Sequence, residues 1–242
     1  MKKNIFLILI TCSVATSCTL SDPRLVILSS DVITIQAVDR DLNKLTSNSL
    51  PADSLSHAFI LVNLGKQSDA NLPVVLRTTN GVLTNVGQSP TSSSTSTLTI
   101  TPQDRQIVVQ LNSLDVANDN VVISGTVNNV SAVTVFSFMP AYATDFAVDP
   151  VNKSVGKTDT VTISITAKTM QGTMSENQYC TVSVTSVDGI VSNYPGLVSI
   201  SNQKGKFSIT NVLGKAGKIT ATISLKTSAS TIEIKSVEIN YN

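Results

Sequence analysis

The chain has 242 residues, of which 41% are apolar and only 14% charged, with a formal net charge of +1. Near-neutrality excludes the basic footprint of a nucleic-acid binder and the polybasic patch of a peripheral membrane protein. A single histidine rules out multi-histidine metal sites, and four tyrosines with no tryptophan argue against the aromatic platforms on which sugar rings stack.

The N-terminus reads as an export signal. Lys2 and Lys3 precede an unbroken apolar run from Ile5 to Ile10, and the small residues Ala15, Thr16 and Ser17 lead to Cys18. That order of charge, short apolar core and small residues marks a signal peptide over residues 1–17. A membrane span needs roughly 20 apolar residues, and Thr11 and Ser13 interrupt this run first. The ending Ala15-Thr16-Ser17-Cys18 resembles the lipobox of bacterial lipoproteins, with Ala15 standing where that family prefers Leu. The resemblance implies cleavage before Cys18, diacylglycerol on its sulfur and an acyl chain on its new amino group. Residues 18–23 would then be a lipidated linker, with the membrane as a partner. Each buried methylene adds about 0.8 kcal/mol, and stable anchoring takes at least two chains or signals, so three chains would hold a soluble body on the membrane. Thr19, where the family's inner-membrane retention signal would be Asp, favours the outer membrane. The alternative is a plain secretory signal cut near the same place. Cys12 leaves with the signal, so Cys180 is the remaining thiol of the body and no internal disulfide is expected.

The body is rich in Val, Ile, Ser and Thr, which suit the buried and exposed faces of strands, and shows no sustained helical stripe. An all-β fold is expected. The first half, 24–140, contains the strand-like "LPADSLSHAFILVNL" (50–64). Its Ala58, Ile60, Val62 and Leu64 form an apolar face, but Phe59 and Leu61 occupy the other. Either the N-terminal segment "LVILSSDVITIQAV" covers that second face or a partner does. The string "GQSPTSSSTS" (87–96) reads as a polar loop insertion. The second half, 141–242, alternates cleanly: in "TVTISITAK" Val161, Ile163, Ile165 and Ala167 share one face. In the last strand Ile232 and Ile234 share one parity and Val237, Ile239 and Tyr241 the other, which predicts a β-bulge near Lys235–Ser236.

Four blocks recur in order about a hundred residues apart. Residues 50–64 match 154–168, and Asn80-Gly81 falls on Asp188-Gly189. Ile107 and Val109 match Phe207 and Ile209, and "NVVISGTVNN" matches "GKITATISLK". This predicts a tandem duplication jointed near Met139–Tyr142. The run "ATDFAVDP", "TVTISITAK", an Asp-Gly turn, "GKFSIT" and "AGKITATISLK" resembles bacterial immunoglobulin-like domains of the invasin and intimin type. The resemblance implies two tandem immunoglobulin-like β-sandwiches, 24–140 and 141–242, the first matching more loosely than the second.

Chemistry-bearing constellations are scarce. No Gly-x-Ser-x-Gly turn supports His57 as a catalytic base, and no phosphate-cradling glycine loop occurs, so neither a catalytic residue nor a cofactor is expected. "DRD" (39–41) and "NDN" (118–120) could offer oxygens to calcium but lack the spacing of a full loop and read as turns. Cys180 reads as a small buried apolar group. Tyr179 and Tyr194 could line a small patch. "DSL" (53–55) and "DTV" (159–161) resemble the O-glycosylation pattern of exported Bacteroidota proteins, which would place sugars on Ser54 and Thr160 at nearly equivalent positions of the two copies. The expectation is a non-enzymatic, lipid-anchored envelope protein serving surface binding, adhesion or spacing. Its partner would be another protein or a surface polymer, and no nucleic acid. The alternatives are a structural subunit of a periplasmic or outer-membrane complex, a glycan-binding accessory module, and a domain pair that once flanked a hydrolase.

Overall fold

The computed structural model describes residues 29–86 and 96–242, so the signal peptide and Cys18 lie outside the described residues. Apart from a 3-10 turn at Ser29–Asp31, the regular structure described is entirely β. The first nine strands are β1 (Ile33–Val38), β2 (Ser49–Ala52), β3 (His57–Leu64), β4 (Val74–Thr78), β5 (Val82–Asn85), β6 (Thr97–Ile100), β7 (Gln106–Asn112), β8 (Asn118–Val127) and β9 (Val130–Pro140). They form a four-stranded sheet ordered β1-β3-β7-β5 and a five-stranded sheet ordered β2-β9-β8-β4-β6. The second nine are β10 (Asp145–Asp149), β11 (Asn152–Val155), β12 (Thr160–Lys168), β13 (Gln178–Ser186), β14 (Ser192–Asn193), β15 (Leu197–Ile200), β16 (Lys204–Asn211), β17 (Gly217–Lys226) and β18 (Ile232–Tyr241). Their sheets run β10-β12-β16-β14 and β11-β18-β17-β13-β15. Adding nine to each label of the first unit reproduces the second, down to the parallel pairs β2–β9 and β11–β18.

Each sandwich follows from the period of two. Along β12 the residues Val161, Ile163, Ile165 and Ala167 are buried while Thr160, Thr162, Ser164, Thr166 and Lys168 face solvent, because successive side chains leave opposite faces of the pleat. The inner faces meet in two separate cores. One gathers around Ile60, Leu76, Leu111, Ile123 and Phe136, the other around Phe146, Ile163, Ile209, Ala221 and Ile239. Filling these cores without a disulfide is within reach of units of about a hundred residues.

Three expectations are corrected. The bulge at Lys235–Ser236 is absent: β18 pairs with β17 without a break, from Tyr241 opposite Gly217 to Ile232 opposite Lys226. Ile232 and Ile234 therefore project outward, and Glu233 and Lys235 take the inward parity. That end of the sandwich is closed by charge, not apolar packing. Lys235 Nζ lies 2.7 Å from Glu233 Oε1, 3.1 Å from Asp145 Oδ1 and 5.7 Å from the centre of the Phe146 ring. A register shift occurs instead between Asn118 and Val121 of β8. Second, the described part of the N-terminal segment does not lie over β3; β1 pairs edge to edge with β3, Ile33 opposite Leu64 and Val38 opposite Phe59, and residues 25–28 lie outside the described residues. Third, the repeat is offset in its first block. Val62 lies opposite Ile107 and Ile163 opposite Phe207, so Val62 corresponds to Ile163, three residues from the match read between 50–64 and 154–168. A strand apolar on both faces specifies its register weakly, and β3 is such a strand.

The sandwiches meet through the loop 169–177 between β12 and β13. Ser175 Oγ donates to the Ala52 carbonyl at 2.8 Å and accepts from the Ala141 N–H at 2.8 Å. The Thr173 N–H donates to the Asp53 carbonyl at 2.8 Å, and the Glu176 N–H to the Asp115 carbonyl at 2.7 Å. Gln171 Nε2 reaches both Asp53 Oδ2 and Ser56 Oγ at 3.2 Å. Asp53, 2% exposed, also accepts from the N–H groups of Leu55 and Ser56 at 2.9 and 2.6 Å and from the Ser56 hydroxyl at 2.8 Å. Burial works to raise its carboxyl, but these donors outweigh it and hold the group below the ordinary carboxylate value. Gly172, at φ +58°, fits against this turn so closely that a Cβ would stand 2.2 Å from the Asp53 carbonyl oxygen.

Candidate interaction surface

The two copies differ most on the outer face of the four-stranded sheet. In the second sandwich that face is a hydroxyl ladder: Thr160 and Thr210 oxygens lie 3.0 Å apart, and Thr162 and Ser208 oxygens 3.2 Å apart. In the first, an apolar patch is set among Gln36, Asn63 and Gln110. Val38 pairs with Phe59 across β1 and β3, and Leu61 with Val108 across β3 and β7. Leu61 is 6% exposed, whereas Phe59 and Val108 are half-buried and floor a groove of about 740 Å³. Leu42, from the turn after β1, and Val86, at the end of β5, extend the apolar lining, and Arg40 and Gln110 add polar groups. His57 stands edge-on to Phe59, with ring centres 5.7 Å apart and planes at 82°. The volume falls in the range of about 300–1,000 Å³ typical of ligand sites. An apolar floor with one guanidinium, one imidazole and one amide is suited to holding an apolar group.

The residues singled out from sequence are scattered. Asp39 spends its carboxylate on its own turn, accepting from the N–H groups of Asp41 and Asn43, each at 2.9 Å. The Asn43 backbone bond, followed by its side-chain amide, holds the Asp39 carboxyl below its ordinary value. Asn118 Oδ1 accepts from the Asn120 N–H at 2.9 Å beside the β8 irregularity, so "NDN" shapes that break. Among the described residues no group of three or more His, Cys, Asp or Glu is placed to hold a metal ion. Cys180 is fully buried on β13, and burial pushes its thiol up to about 11. Tyr194 packs against the second core while Tyr179 faces solvent, so the tyrosine pair makes no platform.

Ser54 and Thr160 are not equivalent. Ser54 is exposed at φ +59° in the turn before β3, whereas Thr160 is the first residue of β12, its hydroxyl bound to Thr210. By ladder register the counterpart of Thr160 is Phe59, since Phe59 faces Gln110 and Thr160 faces Thr210. The docking of loop 169–177 at the joint was not foreseen from sequence. Its visible signs were the Asp53-x-x-Ser56 turn and a single glycine, Gly172, in a strand connection. Of the groove, only the off-parity Phe59 and Leu61 signalled an unusual face.

No protein-family model matches the chain, and no curated protein sequence does. Solved structures match its fold. Invasin, a bacterial integrin-binding protein, superposes with a TM-score of 0.57 at 15% identity, over 87% of this chain and 40% of invasin. The Yersinia pseudotuberculosis adhesin InvE superposes with a TM-score of 0.51 at 14% identity, over 89% of this chain and 60% of that protein. The chain thus spans about half the length of these two structures, and the likeness extends over both sandwiches. What it establishes is architecture: the described residues form two tandem bacterial immunoglobulin-like sandwiches of the invasin type.

Proposed function

We propose that the chain is a lipid-anchored, non-enzymatic protein of the bacterial envelope, probing the surroundings with a stiff pair of sandwiches that binds, adheres or spaces. The joint carries this reading. Loop 169–177 contributes hydrogen bonds to Ala52, Asp53, Ser56 and Asp115 of the preceding sandwich, and losing several of them at about 1 kcal/mol each opposes free hinging of the two sandwiches. The fold shared with an adhesin and an integrin-binding protein supports a surface role by analogy. The groove on the first sandwich favours a protein partner over a polysaccharide, since its floor is aliphatic and benzyl carbon. The anchor at Cys18, the outer-membrane placement and the boundaries 1–17, 18–23, 24–140 and 141–242 belong to the same proposal.

Metabolic labelling with a fatty acid, followed by membrane fractionation, tests it. The native chain takes label and sediments with membranes; Cys18→Ser loses both, and whole-cell protease removes the body from its outward-facing position. If Cys18→Ser and the native chain behave alike in label and fractionation, the anchor is wrong. A fixed stoichiometric partner trapped by cross-linking in intact cells would make the chain a complex subunit instead.

A further inference from the structure

The groove of about 740 Å³ on the first sandwich specifies more than an apolar guest. Its floor is carbon: Phe59 on β3 and Val108 on β7, both half-buried, with Leu42 and Val86 beside them. One wall is the turn 39–43, which is fixed from within. The Asp39 N–H donates to the Asn43 carbonyl at 2.9 Å and the Leu42 N–H to the Asp39 carbonyl at 3.2 Å, while the Asp39 carboxylate takes the N–H groups of Asp41 and Asn43. Leu42 is held there at φ +65°, a left-handed conformation that few non-glycine residues adopt. The wall is set before a guest arrives, which lowers the ordering cost of binding.

The polar groups of the groove are unequal. Arg40 makes no hydrogen bond or ion pair among the described residues, because the neighbouring Asp39 is spent on its own turn. No Asp or Glu is among the described residues that line the groove, so the guanidinium is a positive charge without a counter-ion. Gln110 donates its Nε2 to Asn112 Oδ1 at 2.6 Å, which leaves its Oε1 as an acceptor. The groove thus asks a guest for a bulky apolar group, a carboxylate and an N–H donor. A peptide with an aliphatic or aromatic side chain next to Asp or Glu carries all three within two residues. A fatty acid lacks the N–H, and a neutral sugar lacks the charge. The chain's own adjoining segments do not fit. Residues 87–95, which follow Val86, contain no Leu, Ile, Val, Met or aromatic residue. The aliphatic run Leu25–Leu28 enters at the Leu64 end of β3, since Ile33 lies opposite Leu64. Phe59 is about 17 Å further along the strand, and four residues span at most about 14 Å.

We infer that the groove binds an acidic, apolar peptide segment of a partner protein, the apolar side chain on Phe59 and Val108 and the adjacent carboxylate on the Arg40 guanidinium. Resting on the reading above that this groove takes a protein, the pairing of carbon with an unmatched guanidinium names the kind of segment it takes. Arginine's paired N–H donors match the two oxygens of a carboxylate, and the apolar floor beside them strengthens the bond by excluding water.

The test uses the full chain carrying Cys18→Ser, so that no acyl chain competes for the groove. It is panned against a random heptapeptide library, and the enriched peptides are labelled with a fluorophore and titrated. Enrichment of Leu, Ile or Phe adjacent to Asp or Glu is expected. Arg40→Gln, or an amide in place of the peptide carboxylate, weakens binding about ten-fold or more; the two together cost no more than either alone, the mark of a direct pairing. Phe59→Thr weakens binding by a similar factor with the circular dichroism spectrum unchanged. Enriched peptides without a carboxylate, no enrichment at all, additive losses from Arg40→Gln and the amidated peptide, or oleate binding as tightly as the peptide overturns the inference. So does self-association of the free chain that Phe59→Thr abolishes, which would seat a second copy in the groove. Enriched neutral peptides that still depend on Phe59 would leave the groove a protein site and remove only its acidic specificity, so failure here is separable from failure of the broader reading.

Discussion

Replacing Gly172 by alanine tests whether the sandwiches form one body. Two costs arise. A left-handed φ of +58° costs alanine about 1–2 kcal/mol relative to its ordinary conformations. The added Cβ would also lie 2.2 Å from the Asp53 carbonyl oxygen and 3.0 Å from its Cβ, so the loop must retreat by roughly 1 Å to restore a van der Waals separation. Gly189 separates the two costs, having φ +67° and nothing within 4 Å of the position its Cβ would take. Gly189→Ala should therefore show the conformational cost alone. In Gly172→Ala the retreat stretches the Thr173, Ser175 and Gln171 bonds, now 2.8–3.2 Å, beyond useful length; at about 1 kcal/mol each, closure of the joint weakens by a further ~2–4 kcal/mol. Residual dipolar couplings read the outcome. The native chain and Gly189→Ala fit one alignment tensor across both sandwiches, and Gly172→Ala requires two. One shared tensor in Gly172→Ala, or two in Gly189→Ala, would refute the reasoning.

The joint should also respond to acid. Asp53 is held below its ordinary value when folded, so its contribution is present above the unfolded carboxylate pKa of about 3.9 and is lost as pH falls through the lower folded value; the shared tensor should persist at pH 5 and split in stronger acid, and Asp53→Asn should split it at neutral pH. Cys180, with its thiol raised to about 11 by burial, should resist a thiol reagent at pH 8 until denaturant exposes it, and rapid labelling of native protein would contradict its placement. If the "DSL" and "DTV" strings are glycosylated, exposed Ser54 should carry sugar more readily than Thr160, whose hydroxyl is engaged on a strand; the intact mass of Ser54→Ala and Thr160→Ala protein from the native host measures each share, and no hexose-sized loss in either removes the reading.

The fold was legible where a local rule had one solution. The alternation in "TVTISITAK" and the glycine turns at 81 and 189, both at positive φ, determined strand faces and the repeat. The errors arose where two solutions compete. Ile232 and Ile234 broke phase, and a bulge was one repair; pairing Lys235 with Asp145 and Glu233 was the other, and it depends on a residue some ninety positions away that periodicity does not see. The joint is similarly non-local, since Asp53 and Gly172 meet only after both sandwiches have formed. Phe59 and Leu61 announced an unusual face, but the other residues of the groove come from three further elements and carried no local sign.

The pleat of β3 has a consequence for how such a chain diversifies. Ile60 and Phe59 are neighbours in sequence yet meet different constraints, one packed in the core and the other half-buried on the outer face. A duplicated gene half can therefore rewrite one hemisphere of a sheet without renegotiating its interior. In the later half that hemisphere stays coated with hydroxyls; in the earlier half Phe59, Leu61 and Val108 interrupt the coating with carbon.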